Sequence, residues 1–450
     1  MSDQEKLVLI VHAIDTEGPL YESPAASFER LEELFGITGL PKTPSTLEKL
    51  RNWEIDLGGN EGKVAESLNS HRTNFMADWG KLNAMLERCM SPGFRNAMPD
   101  SFGAGWVYNW HTLDFVGYDV NPRRRDMGHH NIFDHYQEIL ARDPDCADAV
   151  HFHFHPMSTY NEAHRCATSY LRTPYLWDIL CRKVIERAWF PVAFRAGFQA
   201  ERPDSHWFLE QFIPFDISNM ATDDSTELDQ MIDFRNGRSG DWRRAPADWS
   251  VYHPDHDDYQ KPGQCRRVIG RALNVFSRVA SIDQREMDKA FARADTGQVS
   301  VVGICSHDWR DLGPEVDYVR ELTAVAQKKY PNVKFKYAEE VEAFRTALGY
   351  GEEANTEALD FTLELDRNPA DDVPNLTVET KRGRVFGPQP FLAIETRGNR
   401  FIHDNFDFSQ SGDRWHYAFH GDTLPLADVR RIGVGAADKY GNACVRVVEV

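Results

Sequence analysis

Three histidines alternate with two phenylalanines in the run His151-Phe152-His153-Phe154-His155, which ends at Pro156. On an extended strand, residues two apart share a face, so one face of this run is imidazole and the other is apolar. Neutral imidazole is the commonest metal ligand, and a buried imidazole without a partner is costly. The pattern therefore points to a metal. In a straight strand His151 and His155 stand about 13 Å apart, too far to share an ion. His153 and His155, at about 7 Å, can share one; His151 and His155 can do so only if the chain bends before Pro156. Asp15 and Glu17 are also two apart. Two carboxylates on one face can divide the work, one binding a cation and the other holding a proton. Arg195 opens an Arg-Ala-Gly segment and could orient a carboxylate, and Asp216 could pair with it. His307, beside Asp308, suits a general acid.

Each of these residues follows or ends a short apolar stretch that reads as a strand: 7–14, 149–154, 191–194, 213–218 and 299–306. Helical character appears at 62–90, 174–190, 204–212, 268–294, 314–329 and 337–348, with a short strand, VKFKY, at 333–337. Residues 99–131 read as strand and loop, and 221–263 as a long polar loop. Strands that alternate with helices imply a parallel sheet or barrel, with its polar residues gathered at the strand ends. Beyond Gly351 the texture changes to short alternating strands separated by turns, which predicts an all-β sandwich over 355–450.

The net charge of −19 disfavours nucleic-acid or anionic-membrane partners. No apolar run reaches the ~18 residues of a membrane span. The N-terminal stretch reads as a first strand rather than a signal peptide. Seven scattered cysteines without a Cys-x-x-Cys pair argue against a disulfide framework or a cysteine zinc site. A cytoplasmic protein is expected, and a homo-oligomer is not excluded.

In this order the segments resemble the polysaccharide deacetylase family, the NodB-homology domains of carbohydrate esterase family four. Asp15-Thr16-Glu17 matches the acidic motif. His151 and His155 before Pro156 match the family's His-x-x-x-His form, and His153 and His155 match its His-x-His-Pro form. Arg195, Gly197, Asp216 and Ser218 match the third motif and the strand end that follows it, and Ile304 to His307 match the last. The resemblance covers about residues 7–350 and implies a distorted (β/α) barrel with one divalent metal, usually zinc. It implies Asp15 as base, Glu17 and two of the three histidines on the metal, His307 as acid, and Arg195 and Asp216 steadying the base. The implied activity is removal of acetyl from an N-acetylated amino sugar, with a small-molecule or glycan-precursor substrate. Hydrolysis of a non-sugar cyclic amide, and carbohydrate binding without catalysis, are the alternatives. The chain departs from the family in carrying Glu where Asp is usual, and in a large insertion at about 18–130. Trp106, Tyr108, Trp110, His111, Arg123 to Arg125, His129 and His130 fall in that insertion and could shape specificity. Trp242, Trp249, Tyr252 and Tyr259 could line the same mouth or pack a loop.

Overall fold

The computed structural model describes residues 6–69, 73–114, 121, 123–126, 128–156, 170, 173, 175–223, 240–277, 280–370 and 372–450. The two loop-bearing stretches read from the sequence, 99–131 and 221–263, fall partly outside this set, at 115–120, 122 and 127 and at 224–239.

Eight parallel strands form the first unit: β1 (Leu7–Thr16), β2 (Tyr108–Leu113), β3 (Ala149–Phe154), β4 (Ala193–Ala196), β5 (Phe215–Asn219), β6 (Val268–Asn274), β7 (Ser300–His307) and β8 (Lys334–Tyr337). The first seven pair in sequence order, and β7 pairs back to β1 to close a barrel. β8 joins at the foot of β1, where Leu7–Ile10 face Lys334–Tyr337, while the upper residues His12–Thr16 pair with β2. β1 thus has partners on both edges over nearly its whole length. Its near-continuous apolar sequence suits a strand buried on both faces. Leu7, Leu9, Val11 and Ala13 join the barrel interior, whereas Val8, Ile10 and Ile14 pack under the surrounding helices.

Two readings of the sequence are corrected here. Residues 268–274, expected to open a helix, form strand β6; the helix begins only at Gln284. Trp106, Tyr108 and Trp110 are not part of an insertion at a site mouth. Tyr108 and Trp110 lie on barrel strand β2, and all three side chains are buried in the main core. The segment between β1 and β2 holds helices Pro24–Phe35, Pro44–Arg51, Glu61–Ser67, Trp79–Cys89 and Pro92–Arg95. It has a small core of its own around Phe28, Leu31, Leu47, Leu50 and Val64. Trp242, Trp249, Tyr252 and Tyr259 are likewise buried and pack the long connection between β5 and β6.

The second unit contains β9 (Asp360–Asp366), β10 (Asn375–Arg382), β11 (Phe391–Thr396), β12 (Phe401–Asp404), β13 (Asp407–Phe408), β14 (Arg414–Ala418), β15 (Val429–Ala437) and β16 (Ala443–Glu449). They form two four-stranded antiparallel sheets, β13-β14-β10-β9 and β12-β11-β15-β16, over a shared apolar core. The other face of the second sheet rests on helix Tyr175–Arg187, the helix that follows β3. Trp177 stacks on His403 with ring centroids 4.6 Å apart. Gly433 and Gly435 allow the close approach. A Cβ at 433 would meet Val184 Cγ1 at 2.7 Å, and one at 435 would meet the Phe190 ring at 2.6 Å. No helix among the described residues is long and apolar enough to cross a membrane.

Overpacking of this kind typically costs about 1–3 kcal/mol. Gly433→Ala should lower the urea midpoint accordingly. Gly421→Ala, where a Cβ meets nothing within 4 Å, should leave it unchanged.

Candidate metal centre

The inward phase of β1 carries past Ala13 to Asp15, at the C-terminal rim where parallel barrels hold their reactive residues. Glu17 follows just beyond the strand. On β3 the same alternation turns His151 and His153 inward. Phe152 and Phe154 point outward, into the cluster under helix Tyr175–Arg187. His155 lies just past the end of β3.

Glu17, His153 and His155 converge. The two Nε2 atoms are 2.9 Å apart, and Glu17 Oε1 stands 3.7 Å from the first and 3.2 Å from the second. Donors on a tetrahedral zinc, at 2.0–2.2 Å from the ion, are separated by about 3.3 Å. The three atoms therefore outline one face of such a site, and all three residues are buried. His153 Nδ1 donates to the Arg195 carbonyl at 2.8 Å, which leaves the Nε2 lone pair facing the cluster. Burial lowers the pKa of His153 and puts that of His155 well below the ordinary histidine range. Both rings are neutral and able to act as ligands.

The surroundings orient each donor. The Arg125 guanidinium and the Trp309 indole N–H (3.2 Å) both hold Glu17 Oε2, which directs Oε1 at the imidazoles. Asp308 grips the backbone of the same turn, accepting from Glu17 N and Gly18 N at 2.9 Å each and from the Tyr136 hydroxyl at 2.9 Å. Burial pushes Asp308 up to about 7 against these donors. Gly197 makes room for the His155 ring, since a Cβ there would meet its Cγ at 2.6 Å. The next two residues, Phe198 and Gln199, take positive φ of 54° and 49°, a strained turn that carries the chain around the ring.

Beside the cluster, Arg195 Nε donates to Asp15 Oδ1 at 2.5 Å. Its Nη1 donates to the Ile217 carbonyl at 2.9 Å, and its Nη2 meets Cys305 Sγ at 2.6 Å. Burial alone would raise the Asp15 pKa, but the Arg195 guanidinium holds it well below the usual carboxylate range. Asp15 is ionised. His307 Nε2 lies 3.6 Å from Asp15 Oδ2, against the Trp309 ring, and burial keeps His307 neutral. Its side chain is 22% exposed, whereas that of Asp15 is 3% exposed, so His307 is the more solvent-accessible of the two.

Two sequence-derived residues are placed differently. Asp216 pairs with Arg267 at 2.6 Å rather than with Arg195, and Arg267 also reaches Glu201 at 2.5 Å. Asp216 Oδ1 accepts from Ser218 N (2.7 Å), and Ser218 Oγ accepts from Ala196 N (2.8 Å). The Asp-x-Ser segment therefore braces β4 without touching Asp15. His151 lies deeper in the barrel, with Nε2 3.0 Å from Glu339 Oε1 and outside the convergent triad. Next to it, His111 Nε2 meets Glu340 Oε2 at 2.8 Å. Sequence reasoning placed Arg123 to Arg125 in a specificity-shaping insertion and missed Arg125 as a partner of Glu17. It also missed Trp309, Tyr136, Glu201, Arg267, Glu339 and Glu340. A buried carboxylate needs a cation, and that requirement was the one signal that could have led to Arg125 and Arg267. His129 and His130 pair with Asp178 and Glu186 at 3.8 and 2.5 Å.

Fold and site together define a closed parallel α/β barrel with a buried carboxylate and two imidazoles converging at its rim. No known family model, curated protein or solved structure matches this chain.

Two measurements follow from this geometry. Gly197→Ala should weaken zinc binding about 10–100-fold by displacing His155, as expected for residues that orient a ligand. His151→Ala should leave zinc affinity within a few-fold of wild type. Calorimetric titration of the purified variants reads both. Burial also raises Glu340 from 4.5 to about 8. Between those values the unfolded chain releases the proton and the folded one keeps it, so this group's contribution to stability falls as pH rises and levels off above about 8. Glu340→Gln should remove that part of the slope in urea unfolding measured from pH 5 to 9.

Proposed function

We propose that the chain is a metal-dependent amide hydrolase that removes acetyl from an N-acetylated amino sugar. The observation that carries the reading is the convergence of Glu17, His153 and His155 beside an ionised Asp15 and a neutral, more exposed His307. The order of the motifs, and their resemblance to the polysaccharide deacetylases, supply the substrate class.

Glu17 Oε1 and the Nε2 atoms of His153 and His155 would hold the ion, with zinc favoured by two imidazoles and a carboxylate. When bound, a divalent ion supplies an acidified water and polarises an amide carbonyl. The chain's own residues do the rest. Asp15 takes a proton at Oδ2, the oxygen not engaged by Arg195 Nε. A carboxylate held so acidic is a weak base and passes the proton on. His307 Nε2, 3.6 Å away, is the neutral group that receives it and delivers it to the leaving amine. Arg195 keeps Asp15 ionised and fixes its orientation.

Acetate release should be assayed on N-acetylated free, nucleotide-linked and lipid-linked sugars, with cyclic amides in the same panel. Wild type should lose activity with chelator and regain it with zinc. Asp15→Asn should fall about 10²–10⁴-fold, the usual weight of a general base. Hydrolysis that survives both chelation and Asp15→Asn would sink this mechanism. Turnover of the cyclic amides alone would move the substrate class to the non-sugar amides.

A further inference from the structure

Between β5 and β6 the chain makes a long excursion and returns through a tight hairpin. Asp255 N donates to Lys261 O at 2.6 Å, Gly263 N to His253 O at 2.7 Å, and Cys265 N to Pro254 O at 2.9 Å. The two arms are pressed close: a Cβ on Gly263 would meet Asp255 N at 2.7 Å. Glu210 stands on helix Pro203–Phe212, and His256 and Cys265 stand on the hairpin. Together they bring a carboxylate oxygen, an imidazole nitrogen and a thiol sulfur within 4.8 Å of one another. His256 Nδ1 lies 2.9 Å from Glu210 Oε2.

A second observation points the same way. His206 is one turn before Glu210, on the same helix face. Its Nε2 lies 4.0 Å from Cys265 Sγ and 2.9 Å from the Asp255 carbonyl. The ring is buried, and its Nδ1 has no hydrogen-bond partner. Helix and hairpin thus face each other across a soft sulfur, a carboxylate and two imidazoles, of which one is only partly satisfied.

We propose that Glu210, His256 and Cys265 form a second metal site, selective for zinc, that clips the 253–265 hairpin to helix Pro203–Phe212. A thiolate with an imidazole selects zinc or cadmium over magnesium or calcium, which take oxygen ligands. In the metal-free protein the Glu210 carboxylate is met by the His256 imidazole at 2.9 Å and, more distantly, by the Arg266 guanidinium at 3.9 Å. Binding replaces the Cys265 thiol proton with a sulfur–metal bond and releases that proton to solvent. The His256 side chain is 68% exposed and free to close on the ion. None of these residues belongs to the centre at the barrel rim. The clip would still bear on it. Arg267 follows the hairpin directly and holds Asp216 and Glu201, and His253 Nδ1 lies 2.9 Å from the Cys265 carbonyl and 3.1 Å from that of Arg267.

Cadmium titration of the full chain tests the site without reference to enzymatic activity, because the ligands at the rim include no sulfur. Wild type should develop a saturable thiolate-to-cadmium charge-transfer band in the ultraviolet, of the intensity of one thiolate site. Zinc should abolish the band and magnesium should not. Cys265→Ser should lack it, His153→Ala should keep it in full, and His256→Ala should weaken cadmium binding about tenfold or more. His256 is exposed, so that last variant keeps its fold. No band in wild type, a band that persists in Cys265→Ser, or unchanged affinity in His256→Ala would each overturn the site.

Discussion

Asp15 and Arg195 meet at 2.5 Å inside the barrel, with both side chains almost wholly removed from solvent. Moving either charge alone into such surroundings costs several kcal/mol even after relaxation, and breaking a buried pair typically costs about 3–5 kcal/mol. The pair is tolerable because Arg195 spends its remaining donors as well, on the Ile217 carbonyl and the Cys305 sulfur. From this follows much of the local architecture. The Arg195 carbonyl sets the tautomer of His153, and Gly197, two residues on, leaves the space that His155 fills. A strand of four residues, β4, and the glycine after it thus orient Asp15 and both imidazoles.

The interior of the barrel is divided by chemistry. Leu7, Leu9, Val11, Ala13, Ile217, Ala272 and Val301 fill part of it with hydrocarbon. Asp15, His111, His151, His153 and Arg195 fill the rest, with Glu339 and Glu340 closing on the two deeper histidines. Each of these residues has at least one ionic or hydrogen-bonding partner, while His111 Nδ1 and Glu340 Oε1 are left without one. The consequence for chemistry is that charge is kept to few places. The histidines of the rim are neutral, and Asp15 is the group held firmly ionised next to them.

What could be read from the sequence and what could not follow from how local each signal is. The alternation in LVLIVHAIDTE and HFHFHP belongs to single strands, so the inward phase of Asp15, His153 and His155 was legible at once. The choice among the three histidines turned on depth along the barrel. His151 lies level with His111, where the acids reaching it come from residues 339 and 340, far off in sequence. Strand rise alone allowed His153 with His155, and left His151 with His155 open if the chain bent; the structure brings His153 and His155 together with Glu17. Arg267 taking Asp216, and Arg125 taking Glu17, are tertiary pairings with no local mark. Strand β6 was taken for helix because VIGRALN is too short for either period to declare itself. Tyr108 and Trp110, read as ligand-facing aromatics, were barrel strand for the same reason: a large buried ring and a binding ring look alike in one dimension.

The shared edge of β1 has a consequence for how the molecule comes into being. Its upper half needs β2, its lower half needs β8, and its other edge needs β7, partners that begin about 100, 330 and 290 residues downstream. Contacts of such sequence separation form late, after large loops have been closed. During synthesis the strand that bears Asp15 must therefore wait, apolar on both faces, until most of the chain has left the ribosome. The rim that gathers Asp15, Glu17 and the two imidazoles is among the last parts of the protein to exist, and an interrupted or truncated chain would expose a sticky strand rather than a partial site.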